Sequence, residues 1–96
     1  MAKGYWIAHV TVNNAENYPK YLAAAKPAFE KYGARFLARG GRYEAIEGPA
    51  RPRNVIIEFD SFEKAVACYR SPEYQIAAAI RQANADTELL VIEGVN

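Results

Sequence analysis

The only histidine of the chain, His9, is the side chain best suited to exchange a proton near neutral pH. We predict that it forms a cross-strand pair with Glu58 on the neighbouring strand. A carboxylate beside an imidazole fixes the tautomer of the ring and favours its charged form, as in a general base. Arg39, always charged, could keep Glu58 ionised or neutralise a substrate carboxylate or enolate. The three residues would form a catalytic acid/base site; the alternative is a structural ion pair inside a subunit interface.

Two tyrosines, Tyr69 and Tyr74, enclose the sequence RSPE, where we expect a break between two helical segments. Their hydroxyl groups could bind a ligand at this break, or the rings could simply pack. Cys68 is the only cysteine, and its small apolar neighbours predict a buried thiol in a reducing compartment. The sequence has no phosphate-binding loop, no dinucleotide-binding glycine pattern and no set of metal ligands. We therefore expect neither a metal nor another cofactor.

The stretch RFLARGGRYEAIEG, residues 35–48, places three arginines around a double glycine at 40–41. A glycine-rich phosphate loop usually opens into a helix, whereas here apolar and acidic residues roughly alternate after the glycines, which is typical of a strand. We predict one strand over residues 34–48, bent or bulged at the double glycine. The bend would aim Arg39 inward, towards a cavity, and leave Arg35 and Arg42 in solvent.

The elements that must position these residues follow from hydrophobic periodicity and from capping and turn signals. Their order is β-α-β-β-α-β with the second helix split, which matches the ferredoxin-like fold. Right-handed connections then give an antiparallel α+β sheet in the order 4-1-3-2, with the helices on one face. The predicted elements are a strand at 5–12, a helix at 15–32, the bent strand, a strand at 55–59, a helix after Asp60 or Ser61, a further helical segment from Ser71 to about 83, and a final strand ELLVIEGV.

Length and charge limit the classes of protein to which the chain could belong. Ninety-six residues leave room for one hydrophobic core, so we expect a single domain spanning residues 1–96. A net charge of +1 argues against a nucleic-acid partner. The first residues lack the pattern of a signal peptide, and no apolar run is long enough to span a membrane. We therefore expect a cytoplasmic protein with no membrane partner.

One face of the predicted sheet has no cover within a monomer. Hydrophobic residues make up 51% of the chain, more than one small core needs. Two sheets packed face to face would bury the excess, so we expect a homodimer. The apolar residues expected on this face are Ile7, Ile56 and either Leu90 with Ile92 or Leu89 with Val91.

Four stretches resemble a known family: YWIAHVTV, FLARGG with its following EG, IEF-SFE-A and, above all, YRSPEYQ. The chain resembles the bacterial domain-of-unknown-function family numbered 1330 over residues 5–94. That family belongs to the dimeric α/β-barrel superfamily, together with small antibiotic-biosynthesis monooxygenases and muconolactone isomerases. The resemblance implies a ferredoxin-like fold that pairs into a dimeric barrel. It implies no particular reaction, because fold alone does not supply function.

Together these features predict a small homodimeric α/β-barrel protein that binds a small aromatic or acidic metabolite. Any reaction would be cofactor-free acid/base chemistry, either isomerisation or oxygenation. The alternative is a non-catalytic module for ligand binding or assembly, in which the polar cluster of His9, Glu58 and Arg39 is structural.

Overall fold

The computed structural model describes residues 2–96 and contains three helices packed on one four-stranded antiparallel sheet. The strand order β2-β3-β1-β4 confirms the predicted order and the ferredoxin-like topology. In this part of the chain no helix is both long enough and apolar enough to cross a membrane. The elements are β1 (Gly4–Val12), α1 (Tyr18–Tyr32), β2 (Arg35–Arg39), β3 (Arg53–Phe59), α2 (Phe62–Arg70), α3 (Pro72–Asn84) and β4 (Ala85–Glu93).

The core lies between the sheet and the helices, and its centre is Trp6. The indole Nε1 donates a hydrogen bond to the carbonyl oxygen of Ala65 at 2.7 Å, and the ring meets Tyr74 edge-on at 4.8 Å. Cys68 is fully buried, as predicted, and burial raises the pKa of its thiol to about 12. The alternation of apolar residues correctly predicts which side chains of the two central strands face the helices: Trp6, Ala8, Val10, Val55, Ile57 and Phe59.

Ser71 divides the second helical region into two helices, as the sequence predicts. Its backbone is extended because the next residue is Pro72, which disfavours helical geometry in the residue before it. The Ser71 hydroxyl accepts a hydrogen bond from the amide of Tyr74 at 3.2 Å and so caps α3. Ser61 caps α2 in the same way, through the amide of Lys64. The cap at Ser71 fixes the start of α3, whose first turn carries Tyr74 into the core.

The predicted strand over residues 34–48 is wrong in length. Strand β2 ends at Arg39, and residues 40–52 have no regular secondary structure. The irregularity in pairing lies at Leu37, between the pairs formed by Phe36 and Ala38, and not at the double glycine. Gly40 has a positive φ of 64°, and its amide makes a last hydrogen bond to the Asn54 carbonyl before the chain leaves the sheet.

The outer face of the sheet, which we call the open face, is not covered by any of the helices found in residues 2–96. Of the two alternatives for the last strand, Leu90 with Ile92 is correct, since these residues are 52% and 49% exposed. Leu89 and Val91 instead pack against the core. The large apolar side chains on the open face are therefore Ile7, Ile56, Leu90 and Ile92.

Candidate functional site

The predicted pairing of His9 with Glu58 is wrong. In the register of β1 and β3, His9 lies opposite Asn54 and Glu58 lies opposite Tyr5. His9 and Glu58 share the open face but are four positions apart, roughly 13 Å along the strands. The prediction aligned the midpoints of two runs of apolar residues, whereas β3 begins earlier, at Arg53, and this shifts the register.

Glu58 is held by Arg35 rather than by Arg39. Its Oε1 lies 2.9 Å from Nε of Arg35, and its Oε2 accepts a hydrogen bond from the Tyr5 hydroxyl at 3.1 Å. Arg35 also pairs with Asp60 at 3.0 Å. The Arg35 guanidinium lowers the pKa of both carboxyl groups. The Arg35 side chain, predicted to lie in solvent, is 43% exposed, and it also forms an ion-pair network with Glu58 and Asp60 at one end of the open face.

His9 belongs to a second polar cluster at the other end of this face. Its Nδ1 lies 2.7 Å from Oδ1 of Asn54, whose amide nitrogen donates to the Arg51 carbonyl at 3.0 Å. This orients the Asn54 oxygen towards the ring, so Nδ1 carries the proton in the neutral form and Nε2 is the basic nitrogen. The carboxylate next to His9 is Glu88, directly opposite on β4 and paired with Arg51 at 3.0 Å.

Arg39 lies on the helix side of the sheet. It is opposite Val55, and its guanidinium stacks on the Phe36 ring at 4.1 Å from the centroid. The extra residue at Leu37 reverses the face to which Arg39 belongs, because side chains otherwise alternate strictly along a strand. His9, Glu58 and Arg39 are therefore not brought together. Arg39 does line a cavity, but this cavity is on the helix side of the sheet and contains neither His9 nor Glu58.

That cavity lies inside the molecule, between the sheet and helices α1 and α3. Its volume is about 30 Å³, room for roughly one or two water-sized groups. Beside it lies an outer groove of about 360 Å³, which also includes Lys26 and Glu30. The cavity and the groove share one boundary, formed by Leu22, Phe29, Phe36 and Arg39.

Three arginines line the cavity: Arg39, Arg53 and Arg81. Arg81 is only 5% exposed, and none of the three forms an ion pair within residues 2–96. In the described part of the chain, the buried Nε atoms of Arg53 and Arg81 and the buried Thr87 hydroxyl have no hydrogen-bond partner. Buried polar groups are nearly always paired, and buried charges above all. Three unpaired groups around one cavity therefore indicate a site for an anion.

The aromatic wall of the cavity is linked to Arg81 by hydrogen bonds. Arg81 Nη1 donates to the Tyr74 hydroxyl at 2.6 Å, and the hydroxyls of Tyr74 and Tyr21 lie 2.8 Å apart. Burial raises the pKa of both phenols, so both are protonated at neutral pH. Tyr74, predicted to bind ligand or to pack, is fully buried behind Tyr21. Tyr69 meets Trp6 edge-on at 5.8 Å and borders a shallow surface depression instead.

The sequence-based prediction did not include Arg53 and Arg81, two of the three arginines that line the cavity, although the sequence pattern around each indicates its position. Arg81 follows Tyr74 at the helical spacing i+7, on the apolar stripe that includes Ala77 and Ala78. Arg53 belongs to the alternating series that continues with Val55 on the inner face of β3. An arginine on a core-facing position of either element predicts a buried cation. Across residues 2–96 no three His, Cys, Asp or Glu side chains are grouped to hold a metal ion.

Residues 3–95 match the family model described as Domain of unknown function (DUF1330). The chain belongs to the DUF1330 family. The family resemblance seen in the sequence is thereby confirmed over nearly the whole chain. A comparison with curated protein sequences found no match.

Several solved structures share the fold of this DUF1330 protein. A protein of unknown function from Rhodopseudomonas palustris has 23% identity and a TM-score of 0.79, over 99% of this chain and 84% of that chain. SnoaB from Streptomyces nogalater, described as a cofactor-independent oxygenase, has 12% identity and a TM-score of 0.67, over 100% and 96%. A dimeric ferredoxin-like protein of unknown function from Thermobifida fusca has 16% identity and a TM-score of 0.55, over 98% and 92%. At these identities the likeness establishes the fold.

Proposed function

We propose that this DUF1330 protein is a homodimer that binds a small acidic, aromatic metabolite in the cavity between sheet and helices. The observation that carries the proposal is the pair of buried Nε donors on Arg53 and Arg81, for which residues 2–96 provide no acceptor. A carboxylate accepts two parallel hydrogen bonds from a guanidinium, and such charge-assisted bonds are the strong ones. A carboxylate in the cavity would satisfy both donors and neutralise part of the buried charge.

The site consists of an inner cavity and an outer groove, and each would hold a different part of the ligand. The inner cavity, about 30 Å³, accepts an anionic group and little more. The outer groove of about 360 Å³ has room for an aromatic ring, which would pack against Phe36 and Phe29. Arg39 stands at the shared boundary, stacked on Phe36, so it would contact the ligand where the two parts join. We therefore assign Arg39 a ligand-binding role.

Cofactor-free acid/base chemistry is the reaction that this site favours. Three guanidinium groups in a water-poor cavity would stabilise an enolate or phenolate formed from the ligand, and Glu30, the carboxylate that lines the outer groove, would accept the proton that the ligand loses. The fold is shared with SnoaB, described as a cofactor-independent oxygenase, which adds support at the level of fold only. His9 and Glu58 lie on the opposite face of the sheet, so neither can touch a ligand held in this cavity.

The homodimer is supported by the open face and by relatives described as dimeric. The alternative function is an assembly module without catalysis, and one observation favours it. Both polar clusters on the open face, around Glu58 and around His9, have hydrogen-bond partners of their own. They would fix the position of two facing sheets without any ligand.

A matched pair of probes tests the binding of an anion. Phenylacetate and phenylacetamide share a ring and a methylene group and differ in charge. Calorimetric titration should show that phenylacetate binds at least about tenfold more tightly. Arg53→Gln should remove this preference, whereas Arg42→Gln should leave it unchanged, because Arg42 lies in the exposed segment after β2. Equal affinity for the two probes, or no binding of phenylacetate at millimolar concentration, would favour the assembly module.

A further inference from the structure

Tyr21 is the one member of the hydrogen-bonded chain of phenols that lines the cavity. It extends from α1, and its ring lies 5.9 Å from the Arg81 guanidinium. Its hydroxyl oxygen lies 2.8 Å from that of Tyr74, and Tyr74 in turn accepts a hydrogen bond from Arg81. The direction of the protons in this chain decides what Tyr21 presents to a ligand.

The direction follows from counting donors and acceptors. Arg81 has only N–H groups, so the Tyr74 oxygen is the acceptor in their contact. The Tyr74 proton must then find an acceptor of its own, and the Tyr21 oxygen is the one that residues 2–96 provide. If Tyr21 donated to Tyr74 instead, the Tyr74 proton would be left unpaired in a fully buried site, which is costly. The favoured order is therefore Arg81 to Tyr74 to Tyr21.

In this order the Tyr21 proton is left without an acceptor in the described part of the chain. Tyr21 itself is 8% exposed, so bulk water is a poor partner for its hydroxyl. Its oxygen already accepts a bond from a phenol that is itself polarised by a guanidinium. Hydrogen bonds in such a chain strengthen one another, so Tyr21 becomes a better donor than an isolated phenol.

We infer that the Tyr21 hydroxyl donates a hydrogen bond to a second oxygen of the ligand, separate from the carboxylate bound by Arg53. This rests on the proposed function and narrows the ligand to a class. The class is aromatic acids that carry a carbonyl or similar acceptor oxygen close to the carboxylate, such as 2-oxo acids. Tyr74 acts as a positioning residue, because it orients the Tyr21 proton and does not line the cavity.

Benzoylformate and phenylacetate test the inference, because they share a ring and a carboxylate and differ by a carbonyl group in place of a methylene group. Calorimetric titration of the wild-type protein should give a preference of about three- to tenfold for benzoylformate, the worth of one hydrogen bond. Tyr21→Phe should abolish this preference by weakening benzoylformate binding alone. Tyr32→Phe is the matched control, since Tyr32 ends α1 outside the cavity, and it should retain the preference.

Tyr74→Phe provides a second variant in case Tyr21→Phe does not fold. It leaves the Tyr21 hydroxyl in place but removes the group that orients it, so the preference should fall without vanishing. A wild-type protein that binds both acids equally, or a Tyr21→Phe variant that keeps the full preference, would overturn the inference and leave the anion site intact. If phenylacetate and benzoylformate both fail to bind, the proposed function is overturned together with it.

Discussion

The Nη1 atom of Arg81 lies 2.6 Å from the hydroxyl oxygen of Tyr74, and both side chains are almost completely buried. A phenol accepts this hydrogen bond but cannot neutralise the charge, because burial keeps it protonated at neutral pH. A buried cation without a carboxylate is destabilising. Proteins tolerate such groups mainly where function requires them, so Arg81 is the residue at which stability and ligand binding should be in conflict.

Arg81→Met should make the unliganded protein more stable while it weakens ligand binding. The thioether fills similar space without a charge, and the free energy of unfolding should rise by about 1 kcal/mol or more. Chemical denaturation measures the stability, and phenylacetate titration measures the binding. Arg70→Met, at an exposed position of α2, should change neither. A loss of stability in Arg81→Met would mean that the guanidinium is structural.

Ile56→Lys should convert the proposed homodimer to a monomer. Ile56 lies at the centre of the open face, on β3 opposite Ile7, and a lysine there would place an unpaired charge in a dry interface. Light scattering after size exclusion measures the mass directly. Ile76→Lys is the control, because Ile76 is 68% exposed on α3 and away from the sheet. A monomeric wild-type protein at micromolar concentration contradicts the dimer itself.

Gly40→Ala should lower the free energy of unfolding by about 1 kcal/mol or more. Gly40 has a φ of 64°, and a Cβ atom there would collide with Nη1 of Arg53. The same substitution should therefore also disturb the cavity arginine and weaken phenylacetate binding. Gly41→Ala is a neighbouring control, since a Cβ atom there would meet no atom of residues 2–96 within 4 Å apart from its chain neighbours, and the φ of Gly41 is not positive. Equal effects at both glycines would refute the role of Gly40.

Arg35→Gln should reduce stability at neutral pH and make the protein less sensitive to acid. Arg35 lowers the folded-state pKa of Glu58 and Asp60 below their ordinary values of 4.5 and 3.8. The contribution of these ion pairs to the free energy of unfolding is fully present above the ordinary pKa values. It is lost as the pH falls through the lower folded-state pKa values. Melting temperatures of wild type and variant should thus differ at pH 7 and converge once the pH has fallen below the lowered folded-state pKa values. Because the pairs are partly exposed, the difference should shrink in high salt.

Much of the fold was predictable from the sequence because its signals are local. Trp6, Ala8 and Val10 occupy every second position of β1, and this pattern assigns their face of the strand to the core. The Ser71–Pro72 pair predicts a helix break from these two residues alone. With right-handed connections, the predicted order of strands and helices along the chain allows few sheet topologies. The strand order predicted in this way is the one observed. The buried Cys68 and the uncovered open face were predictable for the same reason.

The site was decided by tertiary structure. Strand register determines which side chains meet. The register of β1 and β3 differs by four positions from the predicted one, so His9 lies opposite Asn54 and not Glu58, while the alternation of residues along each strand is the same in both registers. The bulge at Leu37 moved Arg39 to the other face of the sheet, because one extra residue reverses the alternation. Arg53 and Arg81 are 28 positions apart in the sequence, on a strand and a helix, and only packing brings them to one cavity. Local sequence determined which surfaces are apolar; register and packing determined which charges those surfaces enclose.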